Sequence, residues 1–404
     1  MKILVIGQHF YPENFKINAI VASLVEAGHE ICVLTGYPNY PQGEFYRGYS
    51  PDLPYEKEYC GAKIERVKIY PRKKGKWNLT KNYLSFWINA DKWVKKNAKG
   101  YDVTYCCQTS PIFMSLPCIT AKKKFGIPTV INVQDMWPEC FACVMGINFP
   151  TIIKPLEWIS NRVYKNADML LCSSKSFIDI LLHRGVRKER LAFWPQYSPE
   201  ISLNNDARCP EEYVTKYRFV FAGNVGEMQG LDVILDAGKT LKDRTDIGFY
   251  IIGDGSDKAR LTDRVKNEAI GNVFFLDMKP ENDIPNYLRN ATASILVMKD
   301  NILSDITIPA KLQTYMACGS PIISTIRGEA GDIVREAKCG LITSANDGEA
   351  LSSTVEEFLL LNNDEIETFK SNSIAYTKMK FDKRILIDEL EKQLKDKINA
   401  GIIR

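Results

Sequence analysis

The residues of this chain best suited to chemistry are a lysine in a helix's first turn, glycines in loops that follow strands, and an aspartate at a strand end. Lys311 lies in I-P-A-K-L-Q-T-Y-M-A-C-G-S-P (308–321). Pro309 presets the first helical turn, Leu312, Tyr315 and Met316 recur at helical spacing, and Gly319 stops the helix. A helix amino end offers unbonded backbone N–H groups and a positive dipole end to an anion, and Lys311 adds a full charge there. F-A-G-N-V-G-E-M-Q-G-L-D (221–232) brings Gly223, Asn224, Gly226, Gln229 and Gly230 into the loop after a strand. I-I-G-D-G (251–255) does the same with Gly253 and Asp254. Glycines in such loops let the backbone turn tightly and approach a ligand closely. Q-D-M-W-P-E (134–139) sets Asp135 at a strand's carboxyl end, a place for chemistry or for binding hydroxyls. Taken singly, each motif also fits an ordinary strand–loop–helix unit.

The elements that must position these residues alternate. Strands read at 2–6, 30–35, 103–107, 129–133 and 169–173, with helices near 14–27, 111–125, 152–166 and 175–184. From Trp194 to Lys216 the pattern lapses into Pro, Ser, Asn and charged residues, a linker composition. It resumes with strands at 217–222, 249–252, 273–275, 293–297 and 321–324, separated by helices near 230–243, 256–268, 282–290, 309–318 and 330–338. The expectation is two doubly wound α/β domains, residues 1–200 and 201–380. An amphipathic helix at 381–404 is expected to return toward the first domain. Ligands of such sheets bind outside the carboxyl ends of the strands.

At 404 residues, with 45% hydrophobic and 25% charged residues, the composition is that of a folded soluble protein. The net charge of +4 is unevenly spread. Residues 63–100 carry twelve Lys or Arg against Glu65 and Asp91, so the segment is net +10 and the remainder net −6. Such a field implies an anionic partner. Tyr70, Trp77, Tyr83, Phe86, Trp87 and Trp93 interleave with these lysines. On a helix, Tyr83, Leu84, Phe86, Trp87, Ile88, Ala90, Trp93 and Val94 would cover more than half the circumference. That composition suits an anionic bilayer surface, reached through residues 70–99, and equally a core-packed helix with a solvated face. Nucleic acid is not expected, since no recognition motif accompanies the charge. The eleven cysteines are scattered and odd in number, as in a reducing compartment. Cys140-x-x-Cys143 lacks a second ligand pair, and no D-x-D-like pair sits at a strand end, so no metal is expected. No run approaches the ~18 apolar residues of a spanning helix, and the start is too short for a signal segment. The expected location is cytoplasmic, peripheral on the inner face of the membrane.

Residues 308–340 resemble the C-terminal signature of the retaining family 4 glycosyltransferases, whose segment before M-A-C-G-x-P binds the diphosphate of a nucleotide-sugar. The resemblance spans nearly the whole chain and implies the GT-B fold, two Rossmann-like domains facing a cleft. G-Y-P-N-Y-P-Q-G (36–43) with Phe45, Arg47, Gly48 and Tyr49, the D-x-W-P-E form at 135–139, and G-N-x-G-x-x-Q-G-L-D (223–232) are similar to one subgroup, the WbuB-like L-fucosamine transferases of bacterial surface-polysaccharide synthesis. The family places Arg and Lys where this chain has Asn224 and Gln229, and two glutamates where it has Ile306 and Thr314. Losing two cations forfeits charge-assisted bonds of ~1.5–3 kcal/mol each, which throws more load on Lys311. Asp305 lies one residue from the first lost glutamate and Glu329 just beyond the next strand. Either could replace it, or both could simply cap helix ends. Met278, in D-M-K-P (277–280), falls where the family's nucleobase contacts lie.

The resemblance implies a UDP-sugar donor with no cofactor, and a glycan acceptor linked to a polyprenyl diphosphate lipid. It implies Asp135 and Lys311 in the catalytic role, and donor contacts from Gly223, Asn224, Gly226, Gln229, Gly253, Asp254, Met278, Asp305, Pro309, Lys311 and Glu329. In the family the leaving phosphate oxygen is proposed to take the acceptor's proton. The hydrophobic Ile306 points to a deoxy or N-acetylated donor sugar such as N-acetyl-L-fucosamine, because it cannot accept a hydroxyl's hydrogen bond. Two other readings stand beside this one: a GT-B-fold UDP-sugar 2-epimerase, poorly served by three histidines, and a catalytically silent partner subunit.

Overall fold

Short apolar runs form the strands of two sheets. The computed structural model describes residues 1–201 and 208–402. Part of the predicted linker, 202–207, and the last two residues of the predicted C-terminal segment lie outside the described residues. The chain divides into one unit built from Met1–Trp194 and Leu386–Arg404, and a second from Pro195–Ile385. The sequence boundaries at 200/201 and 380/381 differ from these by about five residues. One anchor explains the earlier first boundary: Trp194 is buried and its indole N–H donates to the Leu386 carbonyl at 2.8 Å, which ties the end of the first run to the start of the returning segment.

In the first unit the strands are β1 (Lys2–Ile6), β2 (Glu30–Thr35), β3 (Glu58–Tyr59), β4 (Ala62–Arg66), β5 (Val103–Gln108), β6 (Thr129–Val133), β7 (Met169–Cys172) and β8 (Leu191–Phe193). They lie in the order β3-β4-β2-β1-β5-β6-β7-β8, parallel throughout except for the β3–β4 pair. Ile3, Leu4, Val5 and Ile6 are fully buried, as they must be in a strand covered on both faces. The helix Lys16–Glu26 buries Ile17, Ile20, Val21 and Leu24 at 3.6-residue spacing. Gly28 follows it at φ +82°, a left-handed conformation that a side chain would strain.

The second unit contains β9 (Tyr217–Ala222), β10 (Ile247–Ile252), β11 (Val273–Leu276), β12 (Ala293–Leu296), β13 (Ile322–Ser324) and β14 (Gly340–Ile342), all parallel, in the order β11-β10-β9-β12-β13-β14. Its two apolar layers centre on Tyr250, Leu312, Tyr315 and Met316 on one side of the sheet and on Phe219, Phe249, Leu235 and Phe358 on the other. In each sheet the chain reverses its direction of winding once. The reversal falls between β1 and β5 in the first sheet and between β9 and β12 in the second, and loops diverge there to leave a crevice at the carboxyl ends.

The helix carrying the basic segment runs Lys76–Asn97 and buries Asn82, Phe86, Ala90 and Val94 in one stripe. Trp87 stacks on Phe113 at 5.9 Å, so much of the apolar arc expected of this segment covers protein. Its exposed aromatic surface lies near its start, where Tyr70 and Trp77 are 63% and 81% accessible among Lys73, Lys74, Lys76 and Lys81. Arg66 is buried and donates to the carbonyls of Gly36 and Tyr11, so it is no part of any surface field. Among the described residues no helix is long and apolar enough to cross a membrane.

Candidate functional site

At the switch point of the second sheet the side chain of one tyrosine fixes a helix. Tyr315 lies in the helix Ala310–Ala317, and its hydroxyl both accepts from the Ala222 N–H at 2.9 Å and donates to the Ala222 carbonyl at 3.0 Å. Ala222 is the last residue of β9, so the contact locks the helix against the strand end. Lys311, four residues earlier and on the same face, is thereby carried to the mouth of the loop that follows. Its ammonium donates to the Gln229 side chain after β9 and lies 3.5 Å from the Val297 carbonyl after β12. It sits 4.3 Å from the centre of the Phe221 ring. One ammonium thus bridges the two strands that flank the reversal.

Residue 311 keeps some exposed surface, but its ammonium is enclosed by protein and, among the described residues, meets no carboxylate. Desolvation pushes its pKa down to about 7. A buried cation without a counter-ion, poised to titrate near neutrality, is the electrostatic complement of an arriving anion. Pro309 is the residue immediately before the helix, whose first-turn N–H groups, those of Ala310 and Lys311 among them, have no intrahelical acceptor.

The glycine loops pack backbone against backbone. Gly223 N–H donates to Ile252 O at 3.0 Å and Val225 N–H to Asp254 O at 2.8 Å. A Cβ on Gly253 would meet Gly223 O at 2.0 Å, so that position excludes every side chain. Asn224 folds into the groove between Gly226 and Gly255. These loops wall a cavity of about 1080 Å³ that includes Gly223, Asn224, Gly253, Asp254, Met278 and Lys311. Gln229 joins this group through its bond to Lys311. Thr314, which stands in place of a family glutamate, lines the cavity, as do Arg289 and Tyr315, which were missed in the sequence, where Tyr315 reads only as an apolar helix position.

Asp305, Pro309, Gly226 and Glu329 are not among the residues of the cavity wall. Asp305 is exposed in the short helix Ile302–Ile306, which Asn301 caps. Glu329 is buried in the first turn of Glu329–Ala337. Gly328 brings the two segments together, since a Cβ there would fall 2.4 Å from the Asp305 Cα.

Asp135 belongs to the first unit, at the end of β6. Ser110, after β5, donates its hydroxyl to Asp135 Oδ2 at 2.7 Å and accepts from the Trp137 indole at 3.1 Å. Gln108 holds the Asp135 carbonyl at 3.0 Å. Burial raises the Asp135 pKa, and the Ser110 hydroxyl and N–H act against that rise. Two loops away, after β1, His9 and Glu13 pair at 2.8 Å, and Glu13 Oε1 accepts the N–H groups of Asn39 and Tyr40, each at 2.7 Å. Arg72 lies over the Tyr40 ring at 5.2 Å. Of these, Ser110 was not singled out in the sequence, Arg72 reads there only as one charge of the basic segment, and His9 and Glu13 only as parts of I-G-Q-H-F-Y-P-E (6–13), the loop after the first strand that reaches the carboxyl edge. Only their positions after strand ends could have marked them.

Among the described residues no group of three metal-ligating side chains comes together. The eleven cysteines are all free thiols.

Comparisons with known proteins agree with this architecture. Residues 16–196 match the glycosyl transferase 4-like domain and residues 205–375 match glycosyl transferases group 1. The chain is 25% identical over 355 residues to the putative colanic acid biosynthesis glycosyl transferase WcaI of Escherichia coli, covering 80% of this chain and 83% of that protein. It is 24% identical to an uncharacterized glycosyltransferase of Methanocaldococcus jannaschii, covering 94% and 93%. Among solved structures, Anabaena HepE in complex with UDP superposes with a TM-score of 0.70 at 14% identity, over 98% of this chain and all of that one. Sucrose-phosphate synthase from Thermosynechococcus elongatus reaches 0.73 at 14% identity, over 99% of both.

Proposed function

The chain is a family 4 glycosyltransferase with the GT-B fold, and on that premise we propose that it moves a sugar from a UDP-sugar, with retention, to a lipid-linked glycan acceptor in surface-polysaccharide synthesis. The observation that carries this reading is the Lys311 ammonium, held without a carboxylate partner at the second unit's switch point. The family's lysine is absent from position 229, and the Lys311 side chain reaches that same place from the helix behind it. When the bond from sugar to UDP breaks, the diphosphate gains charge. Lys311 and the helix N–H groups stabilise that charge, and fixed groups of this kind often supply most of an enzyme's rate enhancement.

The uracil and ribose belong beside Met278 and the 253–254 turn, and the diphosphate beside Gly223, Asn224 and Lys311. Asp305 and Glu329 are offered for the donor sugar, with N-acetyl-L-fucosamine a candidate. Asp135 is offered for the acceptor. The relative from E. coli named for colanic acid synthesis and the neighbour solved with UDP support the process and the donor class. Inner-face membrane attachment through Trp77, Tyr70 and the nearby lysines would bring the enzyme to a lipid-linked acceptor.

Thermal shift with a panel of UDP-sugars tests the donor reading directly. A rise in melting temperature with at least one UDP-sugar is expected, and none with any would refute it. NMR of the product tests retention, and an inverted anomeric centre would exclude it.

A further inference from the structure

The first unit carries an apolar surface that no role above uses. The helix Glu139–Met145 has no buried residue, and the helix Pro150–Asn166 buries only Ser160, Val163 and Tyr164, all in its last two turns. No residue from 139 to 159 is buried. Within that stretch Phe149, Trp158 and Val144 are 68%, 63% and 59% accessible, and Ile152 is exposed as well. Exposed apolar residues scattered singly are ordinary, whereas a run of them marks an interaction site. Its charges say what covers it. From Cys140 to Leu156 the one charged residue is Lys154. Lys154, Trp158 and Arg162 follow at four-residue steps and so share one helix face, with Lys165 beside them, and all four are exposed. The Arg162 guanidinium lies over the Trp158 ring at 5.5 Å, and among the described residues no carboxylate pairs with Lys154, Arg162 or Lys165. An apolar helix entry without acids, backed by a tryptophan set between unpaired cations, complements a surface that is apolar within and anionic at its edge. The patch also leads back to the basic helix: Phe141 lies 5.4 Å from Trp137, Trp137 6.1 Å from Phe113, and Phe113 5.9 Å from Trp87.

We propose that residues 144–165 insert into an anionic bilayer, with Val144, Phe149 and Ile152 in the acyl region and Lys154, Trp158, Arg162 and Lys165 at headgroup depth. This deepens, and rests on, the membrane attachment proposed above, which drew only on Tyr70, Trp77 and the lysines near them. The two contributions differ in kind. The lysines attract the leaflet through charge, which salt screens, whereas burial of apolar side chains does not depend on that field. Part of the binding therefore survives where salt has removed the electrostatic part.

Sedimentation with vesicles of phosphatidylglycerol and phosphatidylcholine tests this. The double variant Phe149→Ser, Trp158→Ser should partition about a hundredfold less than wild type, the cost of withholding two large apolar side chains from the bilayer. In raised salt it should detach while wild type stays partly bound. Both side chains face solvent, so its melting temperature should match that of wild type. Should the double variant not fold, fluorescence decides: lipids brominated near the top of their acyl chains should quench more emission from wild type than from Trp158→Phe, and equal losses would overturn the proposal. Wild-type protein that does not sediment with these vesicles would defeat the attachment and this inference together. Equal sedimentation of wild type and double variant would defeat the inference alone. A monomer–dimer equilibrium abolished in the double variant, with vesicle binding unchanged, would assign the patch to a second copy of this chain and likewise overturn it.

Discussion

The two switch points of this molecule are built from opposite materials. In the second unit the crevice is walled by glycine backbone and holds one enclosed ammonium, Lys311, tethered to neutral groups. In the first unit the loops after the strand ends carry prolines and aromatic rings and hold carboxylates, Asp135 and Glu13, each with its own donors. Bare backbone lets a diphosphate approach closely and meet N–H groups, which suits a ligand part shared by every nucleotide-sugar. Carboxylates and an imidazole on rigid loops offer directed hydrogen-bonding groups, the kind that suits hydroxyl groups whose number and direction differ from one sugar to the next. On this view a single fold serves two chemistries by exchanging what its loops leave exposed.

The sharpest way to extend that contrast concerns the first unit's surface. Replacing Lys73, Lys74, Lys76 and Lys81 with Gln should lower partitioning onto anionic vesicles by roughly a thousandfold at low salt, at about 1 kcal/mol per charge. Arg72 is left in place because it packs on Tyr40 beside the His9–Glu13 pair. Raised salt should mimic the variant, since exposed charges are screened over ~10 Å at 0.1 M. Sedimentation with vesicles reads both effects, and unchanged binding would assign these lysines to another role.

Next in size, Lys311→Ala should cut turnover about a hundredfold with the fold retained, the typical cost of one electrostatic group at a developing charge. A variant keeping more than about a third of the wild-type rate would break the assignment of the second crevice. Asp135→Asn tests the other crevice: turnover should fall at least about tenfold while UDP affinity, read by calorimetry, stays within about twofold. If UDP affinity falls with it, the division of labour between the crevices is wrong.

The smallest effect is on pH. UDP favours the charged lysine, so above pH 7, where free Lys311 loses its proton, binding must take one up. UDP affinity should therefore decline with rising pH, by at most about tenfold per unit, and the slope should vanish in Lys311→Ala. The stability of the free protein runs the other way. Its folded pKa, about 7, lies below the ordinary lysine value, so from pH 7 upward the unfolded chain holds more protons and this group's penalty is relieved. Below pH 7 the penalty is complete, and Lys311→Met should raise the melting temperature there.

What was legible in the sequence follows from what periodicity can encode. β1, β2, β6 and β9 read to the residue because each is built on a short apolar run between polar turns, broken inside only by Asn132 in β6 and Arg218 in β9. β3 and β4 did not, because an edge hairpin alternates exposed charges such as Glu58 and Lys63 with buried Ala62 and Ile64. The helices Gly348–Leu359 and Asn363–Lys380 also went unread, and the second is so polar that its apolar stripe is faint. In the sites, glycine and proline mark loops and so announce where ligands can approach. They do not say which side chains meet. Lys311 and Gln229 are 82 positions apart and Ser110 and Asp135 are 25, and only the strand order brings each pair into reach. His9 and Glu13 are neighbours in sequence, yet the loop geometry that turns one to the other has no periodic signature.

Trp194's bond to Leu386 has a consequence for how the protein is made. The first unit needs residues 386 onward, which leave the ribosome only after the whole second unit has been synthesised. At ~5–20 residues per second, those intervening residues take roughly 10–40 s. For that interval the first sheet exists without its last helix, His29 waits for Glu391, and the Trp194 pocket stands open. The second unit, contiguous in sequence, can close as soon as it emerges. Such a nested order favours a nascent chain whose first unit matures last, after the second is complete.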